Sequence, residues 1–132
     1  MKVYVAASFT QKDDVREIYE MLREDGHEIS SDWTAHSPIR PYDQNREMAS
    51  QYAANDMDGV DACDVFVLLA DSSTISTGKH AELGGAIMSR KLLEKPQIYI
   101  VGENLGESIF YFHPSVNIRK SFAQVREEIR TR

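Results

Sequence analysis

Six apolar residues in a row, VFVLLA at positions 65–70, constrain the fold of this chain more than any other stretch. Such a run is typical of a central strand in a parallel sheet, where helices cover both faces. Residues 71–77 are mostly polar or turn-forming and predict a loop at the carboxyl end of that strand. From Gly78, apolar residues recur at helical spacing and predict a helix over residues 78–90. Open α/β proteins bind ligands outside such strand ends, so we expect the functional site at this loop.

Strand-like and helix-like segments alternate along the rest of the 132 residues. We predict strands over residues 2–7, 27–32, 65–70 and 97–101, and helices over residues 11–25, 43–63, 78–90 and from Ser121 onward. Residues 109–116 are short and aromatic, and they form either a final edge strand or part of a subunit contact. The pattern predicts an α/β fold, a three-layer, doubly wound, flavodoxin-like parallel sheet of five strands in the order 2-1-3-4-5. We expect one domain over residues 1–132.

The predicted strand order brings two loops together. Strands 1 and 3 flank the point where the order reverses, so the loops over residues 7–12 and 71–78 should face one crevice. The second loop carries hydroxyl groups able to orient a small polar molecule, on Ser72, Ser73, Thr74, Ser76 and Thr77. Trp33 follows the second strand, and it either lines the same pocket or covers the sheet edge.

Composition and missing motifs exclude several classes of protein. A formal net charge of −6 argues against nucleic-acid polymers and anionic membranes as partners. The single cysteine, Cys63, excludes an internal disulfide, and no segment resembles a signal peptide or a transmembrane helix, so we expect a cytoplasmic protein. The usual dinucleotide and triphosphate loops, metal-spaced His/Cys clusters and nucleophile elbow are missing. We therefore expect neither metal nor cofactor, and a site built on carboxylates.

Glu82, near the start of the predicted helix, is the first candidate. An anion at that position is often only a partner of the helix dipole, which favours it by ~0.3–1 kcal/mol. Gly84 and Gly85 follow directly, and two helical glycines indicate that a ligand or another backbone approaches closely. From these residues alone, a functional carboxylate and a dipole partner are about equally supported.

Asp56 is the second candidate. It lies four residues after Tyr52 and four before Val60, on the inward stripe of its predicted helix. A carboxylate on such a stripe is costly unless it is paired or used.

Four stretches of the sequence resemble the nucleoside 2-deoxyribosyltransferase family, including its branch of deoxynucleoside 5′-monophosphate N-hydrolases. They are VYVAASF at residues 3–9, Asp56 eight residues before Asp64, the pattern Ser76-x-Gly78-x-x-x-Glu82-Leu83-Gly84-x-Ala86, and the strand end at Val101-Gly102. The third stretch is the most specific. One departure concerns the first loop, which is Gly- and Arg-rich in the monophosphate hydrolases but carries only Lys12 as a cation here.

The resemblance implies an enzyme that cleaves the N-glycosidic bond of a small nucleoside or nucleotide and passes the sugar to a second base or to water. It implies that Glu82 attacks C1′ and forms a glycosyl-enzyme ester, and that Asp56 assists protonation of the leaving base. The residues that we expect to contact the substrate are Ala7, Ser8, Phe9, Trp33, Ser76 and Gly78. The family also completes each site from a neighbouring subunit, and the aromatic residues 110–112 favour a homodimer or larger homo-oligomer.

Two alternatives to this enzyme stay open. One is a nucleotide-binding or signalling module that binds or cleaves NAD-type molecules, as TIR-like domains do. The other is a doubly wound domain in which Glu82 serves only as a dipole partner. The first would bind its ligand without Glu82, and the second would bind none.

Overall fold

The structure, a computed structural model, describes residues 1–72, 74 and 76–130 of the chain. Its strands are β1 (Lys2–Ala6), β2 (Glu28–Ile29), β3 (Val65–Leu69), β4 (Gln97–Val101) and β5 (Val116–Arg119). They form one sheet in the order β2-β1-β3-β4-β5, and every neighbouring pair is parallel. The predicted fold class and strand order are therefore confirmed.

The helices that cover both faces of this sheet are α1 (Lys12–Glu24), α2 (Arg46–Ala62), α3 (Gly78–Leu93) and α4 (Phe122–Arg130). Helix α1 buries Val15, Ile18, Tyr19 and Leu22 at the spacing of one helix face. Helices α2 and α3 pack side by side, because Gly85 leaves room for the Met57 side chain of the neighbouring helix. Within the described part of the chain, no helix is both long and apolar enough to cross a membrane.

Two predicted strands differ from the structure. The second is only two residues long rather than six, since the chain turns into a 3₁₀ turn at Trp33–Ala35. The fifth strand starts only at Val116, the last residue of the predicted segment 109–116, because Ile109–Phe112 forms another 3₁₀ turn. Ser108 initiates that turn, because its hydroxyl accepts a hydrogen bond from the Phe110 amide at 3.1 Å. Aromatic composition alone does not reveal such a local cap.

The central strands supply most of the core. All residues of β3 are buried, and so are four of the five in β1 and in β4. This matches the prediction from the apolar run. A strand that is covered on both faces exposes neither face to water, so its sequence does not alternate between apolar and polar residues. Cys63 lies two residues before β3 and is fully buried, and burial raises the pKa of its thiol to about 12.

Candidate active site

The loops that follow β1 and β3 are joined directly by hydrogen bonds. The hydroxyl oxygens of Ser8 and Ser72 are 2.9 Å apart, and those of Thr10 and Thr74 are 3.1 Å apart. The two strands lie next to each other at the reversal of the strand order, as expected. Several hydroxyl groups of the two loops are therefore clustered at this edge of the sheet.

Glu82 reaches from α3 to the sheet below it. It is the fifth residue of the helix, and the first turn holds no acidic residue, so the dipole that favours anions at helix starts has little influence here. Instead, the Glu82 Oε2 accepts a hydrogen bond from the Tyr4 hydroxyl. Burial raises the pKa of Glu82 to about 7, while the Tyr4 hydrogen bond acts in the opposite direction and the charge of Asp56 adds to the rise.

Tyr4, in the middle of β1, has no role in the sequence interpretation. Its side chain is fully buried and stacks on Phe66 of the neighbouring strand, with ring centroids 5.8 Å apart. Burial, with the charges of Glu82 and Asp56, raises the pKa of the Tyr4 phenol far above its usual range. The phenol is therefore always protonated and acts as a fixed donor to Glu82. A tyrosine between the valines of an otherwise apolar run, residues 3–6, is the sequence signal for a buried hydroxyl group of this kind.

Asp56 lies on the face of α2 that turns toward the segment after β2. Its side chain is 20% exposed, and its Oδ1 lies 3.5 Å from the Ser31 hydroxyl and 3.7 Å from His36 Nε2. Burial raises the pKa of Asp56, whereas His36 and the Ser31 hydrogen bond oppose that rise. The charge of Asp56 also contributes to the raised pKa values of Glu82 and Tyr4, so the three groups interact electrostatically.

His36 is held in place by a ring stack that the sequence does not indicate. Its imidazole lies parallel to the Tyr52 ring, with centroids 3.8 Å apart and planes 6° apart. The Tyr52 hydroxyl in turn accepts a hydrogen bond from the Ser37 amide at 3.1 Å. The irregular segment after β2 thus supplies an oriented imidazole next to Asp56.

Close packing of α2 against the sheet brings Asp56 to this position. A Cβ atom at Gly59, three residues after Asp56, would lie 2.5 Å from the Ser31 Cβ and 3.1 Å from a Tyr4 ring carbon. The close approach predicted at Gly84 and Gly85 occurs only at Gly85, where an added Cβ atom would lie 3.3 Å from the Sδ atom of Met57 in α2. Among the described residues, none approaches Gly84 closely, so the prediction of a neighbouring backbone there is wrong.

The predicted substrate-contacting residues are not all equally accessible. Phe9 is exposed, whereas Ala7 and Ser8 are buried. Trp33 is also buried; its indole N–H donates to the Val5 carbonyl at 2.6 Å, and its ring centroid lies 6.3 Å from that of Phe9. Trp33 therefore packs on the sheet and contacts Phe9, and its predicted contact with the substrate stays a prediction.

Ser76 and Gly78 lie at the far end of the second loop. Ser76 is half-buried, and Gly78 is exposed as the first residue of α3. Ser73 and Ile75, which belong to the same predicted loop, lie outside the described residues. The contacts that the sequence interpretation assigns to Ser76 and Gly78 stay predictions.

Comparison with known structures supports the fold. The structure of the CMP N-glycosidase BcmB from Clostridium botulinum is similar, with a TM-score of 0.59 over 98% of this chain and 97% of that one, at 20% sequence identity. No curated protein matches the chain significantly by sequence.

Comparison with family profiles identifies the family. The profile described as nucleoside 2-deoxyribosyltransferase matches residues 3–107, which include β1, Asp56, β3 and Glu82. The match spans well over half of the chain, from the first strand to the crossover after the fourth. The chain belongs to the nucleoside 2-deoxyribosyltransferase family.

Proposed function

We propose that the protein cleaves the N-glycosidic bond of a small nucleoside or nucleoside 5′-monophosphate, with Glu82 as the nucleophile. The observation that carries the proposal is the half-buried Glu82 carboxyl group, which accepts a hydrogen bond from Tyr4 and interacts electrostatically with Asp56. Family membership supports the class of reaction. It also favours this reaction over the alternative of a TIR-like signalling module.

In the first step, ionised Glu82 attacks C1′ of the sugar, and the C1′–N bond breaks as a C1′–O ester bond forms. A pKa of about 7 leaves a substantial ionised fraction near neutral pH. The Tyr4 hydroxyl binds one carboxylate oxygen, which orients the other toward the sugar. The carboxylate also stabilises the oxocarbenium character of the transition state.

Asp56 is the proposed acid for the leaving base. The base departs with the electron pair of the C1′–N bond and takes a proton from the Asp56 carboxyl group. Burial, which raises the pKa of Asp56, favours the protonated form that this step requires. In the second step, water or an acceptor base attacks C1′, the ester bond breaks, and the Asp56 carboxylate takes up the proton that the attacking group releases.

The hydroxyl groups of the two joined loops support a 5′-monophosphate as one form of the substrate. Ser8, Thr10, Ser72 and Thr74 lie within one hydrogen-bonded group beside the loop that leads into α3. Hydroxyl donors and a helix N-terminus together suit a phosphate. Lys12 supplies a cation at the end of the first loop. Its ammonium group lies 5.0 Å from the Phe9 ring centroid.

The test is Glu82→Gln assayed beside wild type on ribo- and deoxyribonucleosides and their 5′-monophosphates, with and without an acceptor base. We expect wild type to release base from at least one compound, and the variant to lose ~10³-fold or more of that rate, since the nucleophile is removed. Glu94→Gln, just past the far end of the same helix, is the matched control and should keep wild-type activity.

A second measurement addresses the intermediate directly. Rapid acid quench of wild type with its substrate should give intact protein heavier by one glycosyl group, and Glu82→Gln should give none. Wild-type protein inert across the whole panel, or a Glu82→Gln variant as active as wild type, would exclude the proposal.

A further inference from the structure

A fully buried lysine lies three residues before Glu82. The Lys79 side chain is 0% exposed, and its ammonium nitrogen is 3.3 Å from Glu107 Oε2 and 3.5 Å from the Leu69 carbonyl oxygen. Leu69 is the last residue of β3, and Glu107 belongs to the crossover that follows β4, residues 102–112. This one side chain therefore ties the first turn of α3 to the central strand and to the crossover.

The residue that follows Lys79 makes a second link to the same crossover. Tyr111 is fully buried, and burial together with Glu107 raises the pKa of its phenol, so the phenol stays protonated. Its hydroxyl donates to Glu107 Oε2 at 3.4 Å, which leaves its oxygen to accept from His80 Nε2 at 2.9 Å. Consecutive residues of α3 thus contact one hydrogen-bonded group centred on Glu107.

The start of the loop before α3 is attached to the crossover as well. The Asp71 carboxylate accepts hydrogen bonds from the Glu103 and Asn104 amides, at 3.1 Å and 2.7 Å. Gly102 makes this approach possible, since a Cβ atom there would lie 2.8 Å from Asp71 Cγ and its φ is +139°. Both ends of the segment from Asp71 to Lys79 are therefore attached to residues 102–111.

Stability alone does not account for an ion pair between a buried lysine and a partly exposed glutamate. Removal of both charges in favour of apolar side chains is often neutral or stabilising, because desolvation offsets the attraction. What such a pair does provide is a defined geometry, and here that geometry concerns the turn from which Glu82 projects. Residues three apart on a helix lie on neighbouring positions of its surface, so displacement of Lys79 displaces Glu82 as well.

We propose that Lys79 and Glu107 form a positioning pair, which holds the first turn of α3 against the crossover so that the Glu82 carboxyl group stays in contact with the Tyr4 hydroxyl. Neither residue contacts the substrate. The inference rests on the proposed function for its catalytic consequence, but its structural consequence is measurable without activity.

The test uses Lys79→Met, Glu107→Gln and the double variant Lys79→Met/Glu107→Leu. The double variant leaves no unpaired buried charge, so we expect it to fold with a melting temperature close to that of wild type. We expect its kcat to fall ~10-fold or more while KM changes less than ~3-fold, because misplacement of a nucleophile slows the chemical step more than binding. Lys91→Met, near the end of the same helix, should keep the wild-type kcat.

Two readouts separate positioning from a merely structural role. The single variant Glu107→Leu closes a double-mutant cycle with Lys79→Met and the double variant. Lys79→Met should cost little further activity in the Glu107→Leu background, since the two residues act as one unit. By carbon NMR of labelled glutamate, the pKa of Glu82 should move away from its wild-type value by at least about one unit in the folded double variant.

A folded double variant with wild-type kcat and an unchanged Glu82 titration would overturn the inference. The NMR titration tests the positioning role even if wild type shows no glycosidase activity, an outcome that would exclude only the proposed function.

Discussion

Glu82 is an acid held where its charged form is poorly solvated. Burial is the main cause of its raised pKa, and the Tyr4 hydroxyl is the group that partly compensates. The same environment makes Glu82 a stronger nucleophile when ionised and makes the ionised state costly for folding. Functional sites often combine these two effects, and they are separable by experiment.

Tyr4→Phe isolates the hydrogen bond to Glu82. The phenyl ring keeps the stack on Phe66, so we expect a small change in melting temperature. In wild type the hydrogen bond from Tyr4 lowers the pKa of Glu82. Its removal should therefore raise that pKa and move the acidic limb of the pH–rate profile to higher pH. We also expect kcat/KM to fall about 10- to 100-fold. An unchanged pH profile would contradict the assigned contact.

Glu82→Gln should stabilise the protein in a pH-dependent way. The pKa of Glu82 is about 7 in the folded chain against an ordinary value of 4.5. The folded state therefore binds more protons than the unfolded state between those pH values, and wild type loses stability as pH rises through that window. Glutamine carries no charge, so the variant should be more stable by about 1–3 kcal/mol at pH 8, with a much smaller gain at pH 5. Urea unfolding at both pH values tests this, and an equal difference at both would contradict it.

Asp56 reaches its position beside Ser31 and His36 because helix α2 packs closely against β1. That closeness depends on Gly59, whose missing side chain leaves room for Ser31 and Tyr4. Helix α3 is positioned differently, through the buried Lys79 and the crossover beyond β4. The positions of Asp56 and Glu82 therefore depend on two independent packing arrangements.

Gly59→Ala against Gly84→Ala tests the role of this close approach. An added methyl group at Gly59 meets the Ser31 Cβ at 2.5 Å, so we expect a loss of about 1–3 kcal/mol of unfolding free energy and a loss of activity as α2 shifts. Gly84 is helical with open space around it, so alanine there should stabilise by ~0.5–1 kcal/mol. Thermal unfolding of both variants gives the comparison. A Gly59→Ala variant as stable as wild type would contradict the packing argument.

The assembly of the whole molecule is a separate question from its fold. Phe110 and Phe112 are 57% and 61% exposed, and they flank the buried Tyr111. Large exposed apolar side chains that lie close together in the sequence indicate an interaction surface. The homo-oligomer expected from the sequence stays a prediction.

Sedimentation of wild type and of Phe110→Ser/Phe112→Ser tests the oligomer. We expect wild type to sediment as a dimer or larger oligomer. The double variant should already dissociate at a higher protein concentration than wild type, since apolar burial drives association. Leu92→Ser, another exposed apolar position, is the control for a general change in solubility. A wild-type protein that stays monomeric at high concentration would contradict the prediction.

The sequence by itself determined the fold class, the strand order and the two carboxylate candidates. Unbroken apolar runs at 65–70 and 97–101 identify buried parallel strands, and period-3.6 patterns identify the helices between them. Asp56 was found as a polar residue on an apolar stripe, and Glu82 from its position after a strand end and from the family pattern. These are local signals, which a linear sequence preserves.

Only the tertiary structure decided the partners of those residues. Tyr4 and Glu82 are separated by 78 positions and Ser31 and Asp56 by 25, so no sequence period relates them. The stacked His36 and Tyr52, the buried Lys79 and the short cap that moves the fifth strand to Val116 likewise depend on packing between distant segments. Hydrogen bonds and burial act through space, and so the pKa of Glu82 is a property of the folded chain.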